Sequence, residues 1–303
     1  MTSKRSIYGW MTLAAFCWAG AFIAGKLSVP YIPPLSLTFL RFLVATVVLF
    51  GVKNRVEQKL GTGMTEYRVS KKDWPVFLFT GVVGMVFYHG FFFSALQYTT
   101  AINSSIIAAM NPIITVVLGF LFVKERISGR ALLGILISFA GVILTITSFD
   151  LTLLASMEVN PGDMLMLLAV ISWAAYSVFS KAKASHIPPL ALTYYSFLVC
   201  TLVSLPLALL EKPWEWAEAV PWTAMAAVVY MSIFASVIGY LIQQISIRRI
   251  GPSRTSVFIN LVPVFSILLS VLILSEELEP VKLITAAMII TGVFICQTER
   301  KQP

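Results

Sequence analysis

The chain has 303 residues, of which 58% are hydrophobic and only 12% charged. Its mean hydropathy is +0.87. Soluble domains carry about 25% charged residues, so this composition excludes an ordinary water-soluble protein. The formal net charge of +8 is a sign of nucleic-acid binding only if its placement has no better explanation.

In chain order the sequence divides into ten apolar spans separated by short polar joints. They are Ile7–Lys26, Ser36–Val52, Trp74–Gln97, Thr100–Val123, Gly129–Thr147, Gly162–Lys181, Pro189–Leu210, Pro221–Ile247, Pro252–Leu274 and Pro280–Gln297. Each has 17 to 27 residues, about the length that a helix needs to cross a bilayer. Lipid satisfies no backbone polar group, so only helices or closed barrels survive there, and period-two alternation is absent. The reading is an all-α membrane protein with ten transmembrane helices. Cys17, Cys200 and Cys296 all fall inside apolar runs, without disulfide or metal spacing.

The first span follows Lys4-Arg5 and contains Ala19-Gly20-Ala21, which resembles a signal-peptide cleavage site. An internal repeat argues against cleavage. Trp18–Phe42 recurs 155 positions later as Trp173–Phe197, with about 10 of 25 positions identical. The matches include Trp18/Trp173, Lys26/Lys181 and the run Ile32–Leu35 against Ile187–Leu190. A second register, offset by 151, aligns Pro112 with Pro263, Glu125 with Glu276 and Gly141-Val142 with Gly292-Val293. The two offsets are reconciled by an insertion or deletion in the polar connector 53–73. The chain is therefore one unit used twice, over 1–150 and 160–300, and the counterpart of the first span lies mid-chain, where no signal peptide can.

Joints on the N-terminal side of the bundle carry 18 of the 22 basic residues, and the opposite side carries Lys26, Lys212 and Lys282. The positive-inside rule then places both termini in the cytoplasm. The net charge is assigned to orientation and anionic lipid, not to nucleic acid. Five spans per repeat is an odd number, so the two copies are expected to sit in opposite orientations. Inverted repeats of this kind place a substrate site near the midplane between the halves and support alternating access.

The stretch Ala95–Ile146 contains Ala-Leu-x-Tyr, the mid-helix Pro112, Glu125 after the span, and Gly134 and Gly141 in the next helix. It resembles the drug/metabolite transporter superfamily, EamA type. Pro263, Glu276 and Gly292 repeat the pattern, and Trp18-Ala19-Gly20 and Arg41-Phe42 also fit it. The resemblance covers nearly the whole chain. It implies ten helices in two inverted five-helix repeats and a secondary carrier of small metabolites in the cell's inner membrane, often an amino-acid exporter. The aromatic-rich middle is similar to that of the aromatic amino-acid exporters.

The ionisable residues well inside the spans are His89 and Arg41, and such residues are costly in a membrane. His89 is either a satisfied histidine bonded to a neighbouring helix or the one group that titrates near neutrality. Arg41 either snorkels outward or anchors a substrate carboxylate. Asp163, Glu125 and Glu276 fall at span ends, which argues against a buried-carboxylate proton cycle. Trp18 and Trp173 are too deep for an interfacial belt, and a buried indole N–H needs a partner. They are read as paired cavity walls, with Tyr88, His89, Tyr176, Tyr240, Gln244 and Asn260 as polar contacts, although such groups also serve simply to join helices. Asn103, Asn111 and Gln243 add further amides. Pro112 and Pro263 each remove one helical hydrogen bond, kink their helices and stand as candidate hinges.

No cofactor or metal is expected, and the partners are a small-molecule substrate and the bilayer, with the protein a monomer or weak dimer. A membrane-embedded enzyme is disfavoured: no joint exceeds about 20 residues, and there is no HExxH, CxxC, phosphate loop or Ser-His-Asp set. A channel needs rings of like polar groups. A nucleotide-sugar or organophosphate carrier is the alternative within the superfamily, and it calls for clustered basic residues in the cavity.

Overall fold

The computed structural model describes residues 4–60, 69–124, 128–146, 160–275 and 280–297, and these are helical with short joints. In order they form α1 (Lys4–Ser28), α2 (Pro34–Leu60), α3 (Lys71–Tyr98), α4 (Ala101–Ala108 and Asn111–Val123) and α5 (Gly129–Ile146). There follow α6 (Pro161–Lys183), α7 (Pro189–Leu210), α8 (Trp222–Ile250), α9 (Pro252–Leu274) and α10 (Pro280–Gln297). Among the described residues seven stretches are long and apolar enough to cross a membrane, and Asn111–Val123, Leu132–Gly141 and Leu283–Gly292 are shorter apolar ones. Glu125 and Glu276 lie outside the described residues.

Local chemistry sets the helix ends. The α3 start is closed by a capping box between Ser70 and Asp73. Asn160 caps α6 by accepting from Gly162 N at 2.7 Å, and Pro161 opens the first turn. The chain leaves α8 through Gly251, at a φ of 84° that favours glycine, and Pro252 starts α9. Large apolar side chains point outward, Leu210, Phe122 and Leu272 among them. Such a surface suits lipid and not water.

Contacts along the helices fix their directions. Ser36 meets Ala208, Thr46 meets Thr201, and Phe50 meets Tyr194, so α2 and α7 run antiparallel. α3 runs antiparallel to α6, from Asn160 against Tyr98 to Phe79 against Phe179. α1 does the same against α8, from Ser28 against Ala224 to Trp18 against Ala235. α5 and α10 cross where Gly141 approaches Ile289 and Gly292 approaches Ser138, small residues allowing close packing.

These contacts join equivalent positions of the repeat. Trp18 meets Trp173 with ring centroids 5.6 Å apart, and Phe42 meets Phe197 at 4.7 Å. The hydroxyls of Thr46 and Thr201 are 3.1 Å apart. Residues 155 apart in sequence can all touch their own counterparts only if a two-fold relation passes between them.

Two irregularities also recur. α3 contains a π-helical turn at Val82–Phe87, and α8 contains one at Met231–Ile238. α4 breaks before Asn111–Val123, and α9 tightens to a 3-10 turn at Val257–Leu261 before Val262–Leu269. Pro112 and Pro263 each sit in the first turn of the restarted helix. Pro112 therefore opens a new helix, where a missing N–H costs nothing, and Pro263 follows a 3-10 turn inside a continuous α9.

Candidate functional site

A cavity lies between the halves at mid-depth. Its empty space, including the part open to solvent, is about 510 Å³. α1 lines it with Trp18, Ala21 and Phe22, α2 with Arg41, and α3 with Tyr88, His89 and Phe92. Ala108 and Asn111 come from α4, Met166, Val170 and Trp173 from α6, Tyr240 from α8, and Ile259 and Val262 from α9.

The walls are mainly aromatic. Trp173 is central: its ring centroid lies 4.6 Å from Tyr88, 5.0 Å from Tyr240 and 5.6 Å from Trp18. The two tryptophans meet edge to face, a favoured arrangement of aromatic quadrupoles.

Arg41 is 2% exposed, so it does not snorkel. Its Nε donates to Ser236 Oγ on α8 at 2.7 Å. Its guanidinium carbon lies 5.7 Å from the Phe42 ring centroid and 6.0 Å from that of Phe93, near the limit for cation–π attraction. Among the described residues no carboxylate pairs with it, so a guanidinium with five donors presents unused N–H groups at the cavity wall.

His89 is 1% exposed. Its Nδ1 lies 2.9 Å from Met85 O, which can only accept, so Nδ1 carries the proton. Nε2 is then the acceptor facing Tyr240 Oη at 3.5 Å. This contact links the first half to the second through residues 151 apart. Asn111 donates to Val170 O at 3.4 Å and accepts from Thr115, bracing α4 against α6.

Of the residues expected from sequence, Trp18, Arg41, Tyr88, His89, Trp173 and Tyr240 line the cavity. Tyr176 and Gln244 do not: they hydrogen-bond each other between α6 and α8, with Ser180 as a further partner of Gln244. Tyr176 turns instead towards Gly84, where a Cβ would fall 2.5 Å from its ring. Gln243 likewise bonds Ser177. Asn260 is buried in the 3-10 turn of α9 and Oδ1 has no partner; its neighbours Ile259 and Val262 reach the cavity. Asp163, expected at a span end, sits in the first turn of α6 and is 9% exposed, with Oδ1 unpartnered.

Phe22, Phe92, Met166, Val170, Ile259 and Val262 were missed by the sequence reading. For four of them the signal was present: they lie three, four or seven positions from Trp18, His89 or Trp173, on the same helical faces.

A multi-helical, lipid-facing bundle with an aromatic cavity between matched halves defines a multi-pass membrane protein of the transporter class. The chain belongs to the EamA-like transporter family, whose pattern matches residues 5–147 and again 160–297. It is similar to the uncharacterized transporter YyaM of Bacillus subtilis (strain 168), at 28% identity over 93% of this chain and 91% of that protein. An uncharacterized transporter of Archaeoglobus fulgidus is 29% identical over the full length of both. The uncharacterized inner membrane transporter YhbE of Escherichia coli (strain K12) is 24% identical over 84% of this chain and 77% of its own. A solved crystal structure has the same fold, with a TM-score of 0.74 at 23% identity, covering 97% of this chain and 98% of the other.

Proposed function

We propose that the protein is a secondary carrier that exports small neutral or zwitterionic metabolites, amino acids first among them, by alternating access through the cavity. Ten spans in two inverted five-helix repeats, 1–150 and 160–300, form the carrier, with both termini in the cytoplasm. Antiparallel pairing of α2 with α7, and contact between residues 155 apart, support inverted repeats.

The observation that carries the substrate class is Arg41. Burying an unpaired charge costs several kcal/mol, and such a charge persists in a membrane protein where function uses it. Its free N–H groups fit a substrate carboxylate. The aromatic walls fit a planar or apolar side chain. A nucleotide sugar or organophosphate would call for more than one cation, and Arg41 is the one cationic side chain among the described residues lining the cavity.

The test is transport by purified protein in liposomes. The panel is the common amino acids, their decarboxylated amines and a nucleotide sugar, each with and without a pH gradient. Uptake of amino acids with rejection of the amines supports the reading, and uptake of the nucleotide sugar alone overturns it.

A further inference from the structure

The two tryptophans are counterparts in the repeat, but their indole N–H groups are used differently. Trp18 Nε1 donates to Ala235 O at 3.1 Å. Trp173 Nε1 is buried and has no hydrogen-bond partner among the described residues. The cause lies one helix away. Ala235 belongs to the π-turn of α8, where Gly239 N–H reaches Phe234 O and Ser236 O and passes over Ala235 O. That carbonyl accepts from Trp18. The approach needs Gly239, since a Cβ there would fall 2.5 Å from Trp18 Nε1.

In the other half the counterpart of Gly239 is Tyr88, and the counterpart of Ala235 is Gly84. The Tyr88 ring stands 4.6 Å from the Trp173 ring, and Tyr176 covers Gly84. Trp173 is thereby kept from the α3 backbone. Trp173 lines the cavity, and its N–H is buried there with no partner among the described residues, where an unmade hydrogen bond is costly. Trp18 is a structural tie between halves, and Trp173 is not.

We infer that the Trp173 indole N–H is a specificity-determining contact, reserved for a hydrogen-bond acceptor of the substrate. Resting on the carrier reading above, this narrows the substrate class to compounds with two acceptor groups: an anionic oxygen for Arg41 and an oxygen or ring nitrogen for Trp173. A purely hydrocarbon side chain leaves the Trp173 donor unmet, so amino acids that carry both acceptors are preferred over those that do not.

The test replaces each tryptophan with benzothienylalanine, which keeps the bicyclic shape and removes the N–H. The probes are L-phenylalanine and L-tyrosine, measured by equilibrium binding to purified protein in detergent, with melting temperature recorded in parallel. At position 173 the expected result is an affinity loss of about tenfold for L-tyrosine and little change for L-phenylalanine, with an unchanged melting temperature. At position 18 the expected result is a lowered melting temperature, since the bond to Ala235 O is lost there. Equal effects at the two positions, or no affinity change at 173, overturn the inference. Arg41→Gln separates the two readings. If it abolishes binding while the change at 173 does not matter, only this inference fails. If Arg41→Gln leaves binding unchanged, the reading of Arg41 as carboxylate anchor fails and this inference with it; if neither probe binds the parent protein, this inference fails and the carrier reading is decided by the liposome panel.

Discussion

Arg41 sets the balance between stability and function at the residue scale. Removing a buried, unpaired charge relieves a desolvation cost, and apolar replacements of buried ionic groups stabilise by about 1–4 kcal/mol in known cases. Arg41→Met is therefore expected to raise the melting temperature in detergent while abolishing substrate binding. A lowered melting temperature would make the Ser236 contact a structural tie. His89 uses both ring nitrogens, one on its own helix and one towards Tyr240. Protonating Nε2 turns that acceptor into a donor and reverses the bond with the Tyr240 hydroxyl, which can also accept. If transport depends on pH, the dependence is expected to disappear in His89→Gln, measured as uptake across a pH series. A profile that survives the substitution excludes the role. Much of the site was legible in residue type and depth, since Trp18, Arg41, His89 and Trp173 are expensive to bury. Orientation was not legible. Tyr176 lies three residues from Trp173 yet faces Gly84 and Gln244, because a glycine on a neighbouring helix opened space there.

Apolar length and polar joints made the helices readable at the scale of elements, since the bilayer fixes both. The interruptions were harder to read. A π-turn at the same position in α3 and α8 leaves no compositional mark, because it arises from packing and not from propensity. The prolines marked the interruptions: Pro112 opens a new helix after a break, and Pro263 follows a 3-10 turn within α9. As hinges they are expected to govern interconversion of states more than affinity. Pro112→Ala and Pro263→Ala should each lower turnover in liposomes several-fold, with the dissociation constant within about twofold. Unchanged turnover at normal expression would leave both as packing residues.

For the whole molecule, the repeat at offsets of 155 and 151 carried most of the architecture. It paired positions that the structure brings into contact, such as Thr46 with Thr201 and His89 with Tyr240. It did not reveal that the pairs are unequal, because Gly239 against Tyr88 becomes meaningful only once Trp18 and Ala235 are seen together. The proposed orientation follows from the basic asymmetry; a reporter fused to the C-terminus should be active only as a cytoplasmic marker. The central claim is that substrate crosses through the cavity by alternating access. Ala21 lines the cavity and is 4% exposed. In a background with Cys17, Cys200 and Cys296 replaced, Ala21→Cys offers a single label site. Labelling with a membrane-impermeant thiol reagent, applied from each side of oriented membrane vesicles, is the most direct measurement. The account predicts modification from both sides, slowed by a transported amino acid. Modification from neither side, or from both at rates that substrate leaves unchanged, would contradict it.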